Sequence, residues 1–194
     1  MNNIITTAYH EAGHALMAYI TGWSIKSIIL NIEKKKLIYG LTTYNFNDDQ
    51  INSQTNLNRR ILCLMGGPIA QAIYENNLML NIDILGKDGE TIDDLLSHLN
   101  IIDKQNFIQD SINITATILQ INTNKNALKR IAEKLINDHQ LFESDFIQLL
   151  NEFKITKMNF DNKNQSLTAI NQNNSFFSKL KLFFLRLAKV VEKS

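Results

Sequence analysis

The stretch TTAYHEAGHALMAYITG, residues 6–22, places His10 and His14 four residues apart and Glu11 directly after the first histidine. Alanine, leucine and methionine surround them and a glycine closes the stretch, which predicts a helix over residues 4–21. On a helix, residues i and i+4 share one face with Cβ atoms about 5–6 Å apart. The two imidazoles can therefore be directed at one ion, and the spacing predicts a metal site.

Glu11 lies about 100° further round the same helix, so its carboxylate is directed beside the ion rather than at it. Zinc lowers the pKa of a bound water to about 7, and a nearby carboxylate can take the proton of that water and later pass it to a leaving amine. The pattern H-E-x-x-H on a helix is typical of zinc metallopeptidases for this reason. We therefore expect one Zn²⁺ per chain, held by His10 and His14, with Glu11 as the catalytic base.

A catalytic zinc site uses a third protein ligand and keeps one position open. The residues after His14, ALMAYITGW, lack the third histidine of the extended H-E-x-x-H-x-x-G-x-x-H motif. The acidic cluster GETIDDLL, residues 89–96, is the best candidate, because a helix that begins after a glycine turn can bring Asp93 or Asp94 over the first helix. The residues themselves leave open which aspartate it is.

The rest of the chain predicts a mainly α (α+β) fold, with a small β-hairpin beside the first helix. Two runs of β-branched and aromatic residues flank a charged tip and predict the hairpin strands. Helical spacing returns after a polar loop, and Thr91 is a plausible N-cap for a later helix. The predicted strands are 25–32 and 36–45, and the predicted helices are 57–77, 92–121 in one or two pieces, 124–139 and a short helix from Glu143.

The chain divides into three predicted segments. Residues 1–156 form the folded domain, and the asparagine-rich residues 157–174 form a linker. Residues 175–194, FFSKLKLFFLRLAKVV at their centre, predict a basic amphipathic helix. Such a helix can lie on an anionic membrane surface, dock on a partner protein or pack on its own domain.

Bulk properties exclude several functional classes. Twenty basic against nineteen acidic residues give a net charge of +1, which argues against nucleic acid as a partner. There is no phosphate-binding loop, no secretory signal pattern and no apolar run long enough to span a membrane. With a single cysteine, these features predict a cytoplasmic protein, peripheral at a membrane if residues 175–194 bind one.

Several segments together resemble the peptidase domain of the FtsH-type AAA zinc metalloproteases. AYHEAGHALMAY is similar to that family's zinc helix, and LIYGLTTY is similar to its active-site strand. ILCLMGGPIAQAIYEN resembles its Leu-x-Gly-Gly-Arg-Ala-Ala-Glu helix, with Pro68 in place of the arginine. GETIDDLL falls where the family has Gly-Ala-x-x-Asp-Leu. The resemblance covers roughly residues 4–153, in order.

The resemblance implies a zincin-like peptidase domain in which an aspartate is the third zinc ligand. Asp94 is preferred over Asp93 because an apolar residue follows it, although counting from Gly89 selects Asp93. The strand residues Gly40, Leu41, Thr42 and Thr43 are then expected to bind an extended substrate by edge pairing.

The family's ATPase and membrane segments are missing, so the expected activity is ATP-independent hydrolysis of peptides or unfolded proteins. The alternative is a catalytically silent binding or regulatory module in which zinc is only a structural staple. A homo-oligomer is compatible with either reading.

Overall fold

The computed structural model describes residues 4–34, 36–45, 54–77, 79–98, 101 and 103–158. They form a mainly helical fold with a small three-stranded antiparallel sheet, which confirms the predicted α+β class. The predicted helix over 175–194 and nearly all of the predicted linker lie outside the described residues.

The elements are α1 (Ile4–Ile20), β1 (Ile25–Glu33), β2 (Lys36–Tyr44), α2 (Gln54–Tyr74), a 3-10 turn (Ile82–Leu85), α3 (Gly86–His98), α4 (Lys104–Gln120), α5 (Asn122–Asp138), β3 (Gln140–Phe142) and α6 (Glu143–Glu152).

Helices α1 and α2 cross at the centre of the fold, at Gly13 and Gly66. A Cβ atom on either glycine would overlap the backbone carbonyl oxygen of the other. Only two glycines permit this approach, and apolar side chains of both helices are fully buried around it. These are Leu16, Met17, Ile61, Met65 and Ile69. The crossing also places the side chains of His10 and His14 on α1 beside α2.

The sheet has the order β2-β1-β3, so β2 lies at an edge. The hairpin of β1 and β2 was predicted, and its strand bounds agree with the prediction to within one residue. Strand β3 was not predicted, since three residues carry too little alternation to be recognised. On β2, Gly40 pairs with Leu30 and Thr42 pairs with Ile28. Side chains two apart share a face of the sheet, and Gly40 and Thr42 both lie against α1.

Helix α3 begins earlier than the predicted N-cap at Thr91. The chain passes through the 3-10 turn and enters α3 at Gly86, whose φ of 51° suits glycine. Gly89, expected to be part of a turn, is inside the helix. Asp88 consequently lies in the first turn of α3, on the side that faces α1 and α2.

The region predicted as one or two helices over 92–121 is two helices. Asp103 caps the second of them, α4, since its side chain accepts a hydrogen bond from the backbone N–H of Asn106 at 3.1 Å. Within the described ranges, no helix is both long and apolar enough to cross a membrane.

Candidate metal centre

The two histidines of α1 direct the same ring atom at the same point. The Nε2 atoms of His10 and His14 lie 3.0 Å apart, and the rings meet edge to face. His14 is buried, whereas the side chain of His10 is 24% exposed. The predicted helix spacing thus brings both imidazoles together at the surface of a cavity.

The outer ring nitrogens are already engaged by α2. His14 Nδ1 lies 2.8 Å from the backbone oxygen of Cys63, and His10 Nδ1 lies 3.2 Å from Gln71 Oε1. A carbonyl oxygen only accepts hydrogen bonds, so each Nδ1 carries the proton and each neutral ring has its lone pair on Nε2. Two lone pairs that face each other at this distance are stabilised by a cation between them.

Asp88 completes the cluster from the first turn of α3. Its Oδ2 atom lies 3.2 Å from His10 Nε2 and 3.5 Å from His14 Nε2. Within the described part of the chain, these three residues are the group whose ligand atoms all lie within 4.8 Å of one another. Tetrahedral zinc with bonds of about 2.0–2.1 Å separates its ligand atoms by roughly 3.3 Å. The observed separations are therefore close to those of a zinc site.

The structure does not bring Asp93 or Asp94, the predicted third ligands, to the histidines. Side chains on a helix are offset by about 100° per residue, so these two lie roughly 140° and 240° round α3 from Asp88. Both are exposed, and Asp93 pairs with Lys104 at 3.3 Å. The preference for Asp94 rested on the apolar residue that follows it, and in this structure Asp88 rather than Asp94 lies beside the histidines.

The charges of the cluster shift two pKa values. Burial alone would raise the pKa of Asp88, but when the histidines carry a proton on Nε2, as they can without a metal, their hydrogen bonds and positive charge outweigh it and hold that pKa well below its usual range. Burial alone would lower the pKa of His14, but the hydrogen bond and negative charge of Asp88 raise it. Both shifts have the direction that a carboxylate beside two imidazoles produces.

Glu11 is buried beside the cluster and is held by the sheet. Thr42 Oγ1 donates a hydrogen bond to Glu11 Oε2 at 2.8 Å and lies 3.1 Å from the Glu11 backbone oxygen. A Cβ atom on Gly40 would lie 2.7 Å from Glu11 Cγ, so β2 passes directly over this carboxylate. Glu11 therefore has one defined position, next to the histidines but outside their cluster.

A cavity of about 910 Å³ opens over the cluster and Glu11. The predicted substrate residues Gly40, Leu41 and Thr42 line it, while Thr43 is not among its lining residues. On the edge strand, Ile38, Tyr39 and Leu41 are about half exposed. Pro68, at the family's arginine position, also lines the cavity.

Gly67 keeps the floor of the cavity open. A Cβ atom at this position would overlap His14 Nε2 and lie 2.7 Å from His10 Nε2. The glycine doublet thus has two separate uses: Gly66 permits the helix crossing, and Gly67 leaves space at the ligand atoms.

Sequence reasoning missed three residues of this centre: Gln71, Gly67 and Asp88. Helical spacing on α2 gives a partial signal for Gln71, since it lies four residues from Gly67 on the same face. The signal for Asp88 was its place between two glycines, Gly86 and Gly89, although both were interpreted as a turn.

No protein-family model matches this chain, and the search of curated proteins finds no match either. The resemblance to the FtsH-type peptidase domain consequently rests on the residues of this sequence alone.

Proposed function

We propose that this protein is a zinc-dependent metalloendopeptidase with an FtsH-type, zincin-like peptidase domain, acting on peptides or unfolded proteins without ATP. One observation carries the proposal. The Nε2 atoms of His10 and His14 and a carboxylate oxygen of Asp88 converge within 3.5 Å, with both Nδ1 atoms already hydrogen-bonded and Glu11 alongside.

The donor set suits zinc. Two neutral imidazoles and one carboxylate are ligands that Zn²⁺ accepts, and three protein ligands leave one position for water or substrate. The backbone oxygen that fixes His14 is the kind of outer partner that metal-bound histidines use. The cavity lies on the open side of the cluster.

Zinc, when bound, would supply a Lewis acid that polarises a substrate carbonyl and acidifies a water. Glu11 would take the proton of the attacking water and deliver it to the leaving amine nitrogen. Thr42 holds one carboxylate oxygen of Glu11, so the base is oriented before substrate arrives. Glu11 is buried in the fold but lines the cavity, so its carboxylate can meet a water held there.

The edge of β2 would bind the substrate backbone. An extended peptide can add to an open sheet edge through main-chain hydrogen bonds. Ile38, Tyr39 and Leu41 are exposed on this strand and line the cavity, so they would contact the substrate's side chains. A cytoplasmic location, and attachment to a membrane or partner through residues 175–194, belong to the same proposal.

The alternative is a zinc-stapled binding or regulatory module without turnover. A structural zinc is closed by four protein ligands, whereas the described residues bring three to this point beside a large cavity. A hydroxamate separates the two: tight binding to the zinc-loaded protein requires an open coordination position, and failure to bind favours the staple.

The proposal is tested by metal content and cleavage. Purified wild-type protein should contain one zinc per chain by mass spectrometry and should cleave a permanently unfolded protein. Glu11→Gln should keep the zinc and lower kcat/KM by about 10²–10⁴-fold, the usual loss on removing a general base. Glu133→Gln, which changes a partly exposed glutamate on α5 outside the cavity, is the matched control and should behave as wild type. Equal cleavage by wild type and Glu11→Gln would reject the mechanism.

A further inference from the structure

The two histidines of the centre are oriented by different kinds of partner. His14 is buried and bonds to a backbone oxygen, that of Cys63, which no substitution removes. His10 is more exposed and bonds to a side chain, the Gln71 amide, across the helix crossing. The orientation of the His10 ring therefore depends on which atom of the Gln71 amide, oxygen or nitrogen, faces it.

Glu75 is the residue in contact with the other end of the amide. Gln71 Nε2 donates a hydrogen bond to Glu75 Oε1 at 3.2 Å, one helical turn further along α2. A side-chain amide can present either its oxygen or its NH₂ group, but a carboxylate only accepts. Glu75 thus selects the amide orientation in which Gln71 Oε1 faces His10, and an oxygen there requires the proton on His10 Nδ1.

From this geometry we infer that Gln71 and Glu75 form a hydrogen-bond chain that positions His10 and fixes its Nδ1–H tautomer, leaving Nε2 free for the metal. Gln71 and Glu75 are positioning residues, since neither belongs to the cluster itself. The inference rests on the proposed zinc site for its effect on affinity, while its effect on the tautomer does not require metal.

The first readout is the tautomer of His10 in the metal-free protein, measured by long-range ¹⁵N–¹H correlation spectra of the imidazole. His14 Nε2 and Asp88 Oδ2 both lie close enough to accept a proton from His10 Nε2, so the spectra are recorded in a His14→Ala/Asp88→Ala background that removes both acceptors. In this background His10 should carry its proton on Nδ1. Adding Gln71→Leu removes the acceptor of that proton and should give a mixture of both tautomers. An Nδ1–H tautomer of His10 that persists in Gln71→Leu would overturn the inference.

The second readout is zinc affinity, measured by competition with a chelator. Gln71→Leu should bind zinc about 10–100-fold more weakly, the usual cost of losing an outer partner of a histidine ligand. Glu75→Gln should lose only about threefold, because the Gln71 oxygen remains and only its orientation becomes less certain. Affinity of Gln71→Leu within twofold of wild type would overturn the inference.

The double variant Gln71→Glu/Glu75→Gln tests the chain itself. It exchanges the amide and the carboxylate, so position 71 still accepts from His10 and now also accepts from the amide at position 75. We expect zinc affinity at or above wild type and the Nδ1–H tautomer. Affinity as weak as that of Gln71→Leu would contradict a positioning role. The double variant keeps the net charge of wild type, and Glu133→Gln controls for the charge that is lost in the single variant Glu75→Gln.

These outcomes separate the inference from the proposed function. A wild type that binds no zinc rejects the zinc peptidase, and the tautomer spectra still decide the role of Gln71. A wild type that binds zinc, with a Gln71→Leu variant indistinguishable from it in both readouts, rejects the inference alone. Circular dichroism and thermal melting identify any variant that fails to fold, and Gln71→Met then replaces Gln71→Leu.

Discussion

The two sides of the cavity are built differently. Its floor is the part of the helix crossing formed by residues 10–14 of α1 and 63–71 of α2, and its rim consists of residues 38–42 of β2 and 84–88 before and within α3. The floor residues that line the cavity are His10, Glu11, His14, Leu64, Pro68 and Gln71. On the floor, Gly13, Gly66 and Gly67 have no free space beside their Cα atoms. On the rim, Ile38, Tyr39 and Leu41 are about half exposed.

The difference assigns separate tasks to the two sides. The floor holds His14 through a backbone oxygen, His10 through the Gln71 amide and both through helix packing, so its backbone geometry is resistant to change except by added volume. The rim supplies Asp88 and the edge strand from elements that contact the core on one face only, so single side chains there can change without loss of the fold. Substitutions on each side should therefore fail in different ways.

The largest effect is expected on the floor, for Gly66→Ala. Its new Cβ atom would overlap the backbone oxygen of Gly13, and backbone cannot rotate away as a side chain can. We expect a loss of about 3 kcal/mol in the free energy of unfolding, measured in urea, at the upper end for overpacked cores.

Gly89→Ala is the control for that substitution. This glycine is also helical, but its Cβ atom would lie 3.0 Å from the Cβ atom of Leu85 rather than on backbone. Better helix propensity of about 1 kcal/mol offsets the tight contact, so stability should stay within about 1 kcal/mol of wild type. Equal destabilisation by both substitutions would contradict a special role for the helix crossing.

On the rim, Asp88→Asn should abolish most metal binding without unfolding the chain. Removing a charged ligand should weaken zinc affinity by more than about 100-fold, beyond the cost of losing an outer partner. Asp94→Asn, on the same helix but directed elsewhere, should leave the affinity within about twofold. A stronger effect of Asp94→Asn than of Asp88→Asn would restore the sequence-based assignment of the ligand.

Gly67→Ala is expected to affect metal binding more than stability. Gly67 lies on the floor, but the atoms nearest to its new Cβ atom belong to the side chains of His10 and His14. The new methyl group would displace both Nε2 atoms, and we expect zinc affinity to fall about 10–100-fold. Helix propensity favours alanine by about 1 kcal/mol, so the free energy of unfolding of the metal-free protein should change less than in Gly66→Ala. If Gly67→Ala unfolds the metal-free protein while its zinc affinity is retained, the two glycines have been assigned the wrong roles.

The features that the sequence could predict are those that depend on contacts within one element of secondary structure or one hairpin. The placement of His10 and His14 on one helix depends on local periodicity, and so do α1 and the strands of the hairpin. These features could be predicted because the decisive contacts lie within a few residues along the chain. The class of the fold followed from them.

The third member of the cluster could not be predicted in the same way. Asp88 faces the histidines because the 3-10 turn and Gly86 start α3 early, and a shift of a few residues at a helix start rotates every carboxylate on that helix. Gln71 meets His10 across 61 residues of sequence, which depends on how α1 and α2 cross. Such contacts between elements leave little trace in local pattern.

The smallest expected effect concerns Cys63, whose thiol is buried in the floor. Burial raises its pKa from 9.0 to about 12, although the hydrogen bond with Thr21 and the charges of Arg59 and Arg60 act to lower it. The folded pKa lies above the unfolded one, so this contribution to stability is complete below pH 9 and is lost as the pH rises from 9 towards 12. Between pH 8 and pH 10 wild type should lose about 1 kcal/mol relative to Cys63→Ala, which has no thiol to ionise.

Urea unfolding of both proteins in reducing buffer at pH 8 and pH 10 measures this difference. Each variant is compared with itself, so the volume lost in Cys63→Ala cancels and only the thiol's ionisation remains. If the two stabilities fall in parallel, the Cys63 thiol is accessible to water in the folded protein and the floor is looser than the rim. A wild-type loss at pH 10 that Cys63→Ala does not share would show that the floor excludes solvent from the thiol whose backbone oxygen orients His14.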